Sequence, residues 1–82
     1  MKITFAKSAE KEILALDRSL GKRIFKKINL LEKNPFGQRA KKLAGGKGYR
    51  IRIGDYRVVY MIDVKKKEVV ITKIRHRREV YK

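Results

Sequence analysis

The stretch Tyr49–Tyr60 constrains this chain more than any other. Tyr49, Ile51 and Ile53 alternate with Arg50 and Arg52, the two-residue period of a strand with one buried face. Gly54-Asp55 follows, a two-residue turn of the Gly-X kind that closes a β-hairpin. The returning strand is Tyr56–Asp63. A turn this short fixes the register. It pairs Ile53 with Tyr56, Arg52 with Arg57, Ile51 with Val58, Arg50 with Val59 and Tyr49 with Tyr60. Directly opposite residues share a face. One face therefore receives Arg50, Arg52 and Arg57, and the other Ile51, Ile53, Tyr56, Val58 and Tyr60.

Arg52 opposite Arg57 is a like-charge pair, which costs stability. Its presence suggests that an anion normally sits there. The plainer reading is a solvated sheet face on which long side chains snorkel apart. A register slip of one residue would send the arginines into the core, so this reading depends on the register.

The rest of the chain supplies the cover for the apolar face. Ile3-Thr4-Phe5 is a short β-prone start. Ser8 is a good N-cap for a helix beginning at Ala9, with Glu10 and Glu12 in the dipole-favoured first turn. Ser19 to Gly21 reads as the break before a second helix. There Leu20, Ile24, Ile28 and Leu31 recur at three- and four-residue spacing, an amphipathic stripe. Asn34-Pro35 ends that helix. Residues 35–48 read as a loop anchored by Leu43. The Gly45-Gly46-Lys47-Gly48 run lacks the spacing and preceding strand of a phosphate-binding loop. Lys65, Lys66 and Lys67 occupy a turn, and a third strand runs Glu68–Ile74. The expected fold is α+β in the order β-α-α-β-β-β, with a helical hairpin packed on an antiparallel sheet.

Charge decides the class of partner. The chain has 82 residues, with 24 Lys plus Arg against 8 Asp plus Glu, for a formal charge of +16. Residues 1–48 hold 13 basic and 4 acidic groups, and residues 49–82 hold 11 and 4. The charge is therefore a property of the folded body rather than of a tail, and 43% hydrophobic residues are enough to make that body fold. Such a surface calls for a polyanion, and its density is the electrostatic footprint of nucleic-acid binding. The length fits one domain, 1–82. With no cysteine and one histidine there is neither a disulfide scaffold nor a zinc site, and no cofactor is expected. No apolar run reaches the length of a membrane span, and Met1–Phe5 lacks the apolar core of a signal peptide, so a cytoplasmic location is expected.

The C-terminal segment Ile74–Lys82 adds Arg75, His76, Arg77 and Arg78. By alternation Arg75 and Arg77 lean over the same face as Lys73. Tyr81 could stack on a base or donate a proton. The plain alternative is a frayed basic tail.

Three stretches carry a family resemblance. They are Leu43 followed by Tyr49-Arg50-Ile51-Arg52-Ile53, then Gly54-Asp55-Tyr56-Arg57-Val58-Val59-Tyr60, then His76-Arg77-Arg78-Glu79-Val80-Tyr81. With them the chain resembles the RelE/ParE superfamily of toxins from bacterial and archaeal toxin–antitoxin pairs. It looks closest to the RelE branch, the messenger-RNA interferases, and the resemblance spans the whole chain. It implies a toxin that inhibits translation by cutting messenger RNA in the ribosomal A site. In that reaction the RNA's own 2′-hydroxyl attacks the adjacent phosphate, without a metal.

By position, the resemblance places Arg50 and Arg52 where well-studied members carry two lysines. Arg57 matches the sheet arginine that contacts the scissile phosphate. Arg77, or Arg75 if no gap is allowed, matches the C-terminal arginine proposed as acid or phosphate clamp. Tyr81 matches a terminal tyrosine associated with stacking. Lys73, Arg75, His76 and Arg78 are the expected further RNA contacts. The departure at position 52 matters. Arginine stays protonated, with a pKa above ~12, and makes a poor base. Histidine titrates near neutrality, but the family offers no precedent for His76 in that role. The resemblance also implies a cognate RelB-like antitoxin, the ribosome and messenger RNA as partners, and operator DNA only through the antitoxin. Two other readings remain open at this stage. One is a ParE-like gyrase poison. The other is a basic RNA- or ribosome-binding protein without chemistry.

Overall fold

The computed structural model describes residues 1–37, 40–46, 48–76 and Arg78. The chain begins with strand β1 (Lys2–Phe5) and helices α1 (Lys7–Leu14) and α2 (Arg18–Asn29). A 3-10 turn at Leu30–Glu32 follows α2. Strands β2 (Lys41–Lys42), β3 (Tyr49–Ile53), β4 (Tyr56–Asp63) and β5 (Glu68–His76) complete the fold. The strands form one sheet in the order β1-β5-β4-β3-β2. β1 runs parallel to β5, and the other pairs are antiparallel. Among the described residues no helix is long and apolar enough to cross a membrane.

The α+β architecture is as expected, with one strand more. β2 is two lysines paired with Tyr49 and Arg50, in a region expected to be loop. An edge strand of two exposed residues buries nothing and leaves no hydrophobic pattern to read. Ala44–Gly46 forms a 3-10 turn, and Gly48 then turns the chain into β3.

The hairpin register is the expected one at every pair, from Tyr49 opposite Tyr60 to Ile53 opposite Tyr56. Gly54 takes φ +58°, the positive value that the first position of such a turn demands. One face of the sheet contributes Ile51, Ile53, Val58, Tyr60, Val69, Ile71 and Ile74 to the core. α2 presses Ile24 and Ile28 onto that face, and Leu31 follows from the 3-10 turn. Each of those three side chains is buried, at the spacing read from the sequence. At one end of the sheet Tyr49 stacks on Tyr60 at 5.8 Å, and Phe36 meets Tyr49 edge-on at 5.5 Å. The Tyr60 hydroxyl donates to the Pro35 carbonyl at 2.7 Å, which ties the segment after α2 to the core.

Both helix starts differ from expectation. α1 begins at Lys7, with Ala6 as its N-cap, rather than at Ala9 after Ser8. Pairing with β5 decides this. The Ala6 N–H donates to Ile71 O at 2.9 Å, so the chain stays extended through Ala6 and coils at once. The Ser8 hydroxyl caps nothing and instead donates to Thr72 O at 3.2 Å. α2 begins at Arg18, because the extended residue ahead of it is Asp17 and not the Ser19–Gly21 stretch. Its α-helical turns end at Asn29, and the 3-10 turn carries the chain on toward Asn34-Pro35. β5 also runs two residues past the expected Ile74, to His76.

Candidate nucleic-acid interface

The face of the sheet away from the helices is built from its pairings. Along β3 and β4 the outward positions are Arg50, Arg52, Arg57 and Val59. Register then extends this set in both directions. Lys41 on β2 is the direct partner of Arg50. Lys73 and Arg75 on β5 are the direct partners of Val59 and Arg57. The result is two rows that run across the strands. One is Lys41, Arg50, Val59 and Lys73. The other is Arg52, Arg57 and Arg75. Neighbouring strands lie about 4.8 Å apart and the two rows about 7 Å apart, so six cations share a patch the size of a few nucleotides.

A β-bulge makes the third strand part of this face. Val69 and Ile71 point to the core, and simple alternation would send Lys73 and Arg75 there too. Between Val59 and Tyr60 the register shifts, with Val59 opposite Lys73 and Tyr60 opposite Ile71. Thr72 is the extra residue, and its hydroxyl donates to Val59 O at 3.1 Å. After the bulge Ile74 is the buried residue, and Lys73 and Arg75 turn outward. Bulges re-aim side chains in this way and are frequent beside functional sites.

Exposure differs along the arginine row. Arg52 is exposed, Arg75 is intermediate and Arg57 is only 8% exposed. A guanidinium held at the centre of a basic face, largely away from water, acts on an approaching phosphate through a lower effective dielectric than a surface lysine does. It also needs little reorganisation when charge develops on that phosphate. Arg52 Nε donates to Gly54 O at 3.3 Å, at the hairpin turn. Arg75 Nε donates to Glu12 Oε2 at 2.8 Å, across to α1.

The structure thus brings Arg50, Arg52, Arg57, Lys73 and Arg75 together, as the sequence suggested. It does not bring His76 to them. His76 pairs with Tyr56, on the face that carries Ile53 and Val58, and its ring meets Tyr56 edge-on at 5.5 Å. Arg78 is exposed, and its backbone N–H donates to His76 Nδ1 at 3.3 Å. Arg77 and Tyr81 lie outside the described residues. Lys41 is the residue that sequence reading missed. Its signal was available only through the register of a strand with no pattern of its own.

Outside this face lies an apolar groove of about 580 Å³ between the helical hairpin and β1. Phe5, Ile13, Leu14 and Phe25 line it, and Leu14 is 75% exposed. Exposed apolar surface gathered in one groove is of the kind at which partner chains dock.

Comparison with known proteins bears on the family and the fold. Residues 3–81 match the family model for the ParE toxin of type II toxin–antitoxin systems. A search of curated proteins found no match. Among solved structures, the archaeal RelE–RelB complex from Pyrococcus horikoshii is 29% identical, with a TM-score of 0.78 over 93% of each chain. The isolated RelE toxin of E. coli is 27% identical, with a TM-score of 0.81 over 98% of this chain and 89% of that one. A YoeB/ParE toxin from Agrobacterium tumefaciens is 18% identical and shares the fold, with a TM-score of 0.77 over 93% and 98%.

Proposed function

The chain belongs to the ParE toxin family of type II toxin–antitoxin systems, and on that premise we propose that it is a ribosome-dependent endoribonuclease that cleaves messenger RNA in the A site. It is the toxin of a toxin–antitoxin pair, with the RelE fold and an antitoxin as partner. The observation that carries the finer reading is the row Arg52, Arg57 and Arg75, with Arg57 nearly buried at its centre. A protein that only needs to be basic gains nothing from burying a guanidinium between two others.

In the proposed reaction the 2′-hydroxyl loses its proton and attacks the adjacent phosphorus. The P–O5′ bond breaks, leaving a 2′,3′-cyclic phosphate on one fragment and a 5′-hydroxyl on the other. Negative charge grows on the non-bridging oxygens. Arg57 faces that charge from within the sheet, with Arg52 and Arg75 on either side, and this is stabilisation by fixed cations. Arg50, Lys41 and Lys73 hold the flanking backbone, where cations position the strand without reading its sequence. The arginines of the two rows stay protonated, so another group takes the proton from the 2′-hydroxyl. Arg77 and Tyr81 keep the roles of clamp or acid and of stacking group that the resemblance implies. The apolar groove between the hairpin and β1 suits an amphipathic segment of a RelB-like antitoxin.

The family match itself supports a second reading, a ParE-like toxin acting on gyrase. Two assays on one preparation separate them. Arg57→Ala is expected to abolish messenger cleavage while most ribosome affinity remains, because one phosphate contact among many carries a small share of binding. Inhibition of DNA supercoiling by the wild-type toxin, with no cleavage on programmed ribosomes, would overturn the ribonuclease reading in favour of the second.

A further inference from the structure

The edge of β5 shows how one arginine of the site is aimed. β1 covers that edge only as far as Phe5, which pairs with Ile71. Beyond it the backbone of residues 72–76 needs other partners, and α1 supplies them. The Ser8 hydroxyl donates to Thr72 O at 3.2 Å, and the Ile74 N–H donates to Glu12 Oε1 at 3.0 Å. The second carboxylate oxygen, Oε2, accepts from Arg75 Nε at 2.8 Å. With it the carboxylate and the guanidinium form a salt bridge. It is partly shielded, with the two side chains 39% and 23% exposed.

Edge capping alone does not call for a carboxylate, since any acceptor would satisfy the Ile74 N–H. A negative charge beside a phosphate-binding face also costs affinity for a polyanion. What the carboxylate adds is a charge-assisted bond that holds the guanidinium from its Nε side. One oxygen is fixed to the strand backbone and the other to the side chain that springs from the next residue. Arg75 is thereby referenced to the same backbone that pairs it with Arg57.

We propose that Glu12 is a positioning residue: it orients Arg75 beside Arg57 so that the two guanidinium groups meet the same phosphate. This rests on the ribonuclease reading for its kinetic consequence, though the contact itself can be tested without it. Glu12→Gln keeps an oxygen for the Ile74 N–H and replaces the acceptor of the Arg75 bond with an amide donor. It therefore removes the positioning while sparing the strand edge.

The experiment combines three measurements on the full-length toxin. The first is the arginine Nε–H spectrum of the free toxin, with Arg75→Lys assigning the Arg75 signal. The second is RNA affinity, measured with a short oligoribonucleotide. The third is the single-turnover cleavage rate on programmed ribosomes for Glu12→Gln, Arg75→Lys and the double variant. The expected results are a dispersed, slowly exchanging Arg75 Nε–H that collapses to the exposed position in Glu12→Gln, and RNA affinity that is undiminished. Cleavage should slow by about tenfold or more, the scale on which misplacement acts. The double variant should be no slower than Arg75→Lys alone. Additive losses in the double variant, or an unchanged Nε–H signal and cleavage rate in Glu12→Gln, would overturn the proposal. If wild-type toxin fails to cleave at all, the ribonuclease reading falls. The Nε–H spectrum then decides separately whether Glu12 holds Arg75.

Discussion

Arg52→Glu should make this toxin more stable while it destroys the proposed site. Arg52 is exposed and lies directly opposite Arg57, on neighbouring strands of the hairpin. A like-charge pair in that position costs roughly 0.2–1 kcal/mol, and an opposite-charge pair gains a similar amount. Reversing one sign therefore yields roughly 0.5–2 kcal/mol, less about 0.5 kcal/mol for the Arg52 Nε–Gly54 O bond, which is long and exposed. The net is about 1 kcal/mol, or about 4–8 °C in Tm for a domain of this size. Thermal unfolding in about 20 mM and about 500 mM salt provides the assay, because the gain is electrostatic and must shrink as the Debye length falls toward a few ångströms. Wild type should gain stability with salt, and Arg52→Glu should show less of that gain. A variant with unchanged or lower Tm at low salt would show that Arg52 and Arg57 do not repel, and the case for an anion between them would go with it. Function bought at the expense of stability in this way is a common trade at active sites.

Other consequences are open to test. Gly48→Ala should cost about 3 kcal/mol, seen as a lower urea midpoint with unchanged slope, because Gly48 has φ +102° and a Cβ there would run into the Tyr60 carbonyl. Burial, with a smaller effect from neighbouring Tyr49, pushes the Tyr60 hydroxyl up from 10.0 to about 12. A group whose folded pKa is raised stabilises fully below its unfolded value, so this contribution should persist up to pH 10 and fade as pH rises toward 12. Phenolate absorbance during alkaline titration should show an ionisation step near pH 12, and Tyr60→Phe should remove it. Ribosome affinity should fall steeply with salt, with a log–log slope that decreases by about one for Lys41→Ala or Lys73→Ala; a flat response would remove the electrostatic basis of binding.

The hairpin was legible because its turn leaves no freedom. Two residues between strands fix the register, and the alternation of Tyr49 to Ile53 fixes which face is buried. Those local facts placed Arg50, Arg52 and Arg57 together without any tertiary knowledge. The amphipathic stripe of α2 was legible for the same kind of reason. What failed to show in the sequence depends on partners far along the chain. α1 starts at Lys7 because Ala6 pairs with Ile71, and Ser8 is turned to Thr72. β2 exists because Tyr49 and Arg50 offer it an edge. Alternation put Lys73 and Arg75 on one face, but continued from the buried Val69 and Ile71 it would turn that face to the core; the bulge at Thr72 resets the parity of β5 and turns both outward. Glu12 read as a first-turn acid suited to the helix dipole. Its two oxygens are engaged by Ile74 and Arg75, more than sixty residues away, and no local pattern announces that.

The most direct test of the ribonuclease reading is the chemistry of the cut ends. Purified toxin is incubated with ribosomes carrying a defined message, new 5′ ends are mapped by primer extension, and the 3′ ends are analysed for phosphate. The expected result is a cut within the A-site codon that leaves a 5′-hydroxyl and a 2′,3′-cyclic or 3′-phosphate, and that disappears in Arg57→Ala. An intact message with folded, ribosome-bound toxin would contradict the ribonuclease reading. A cut that survives Arg57→Ala would contradict the site.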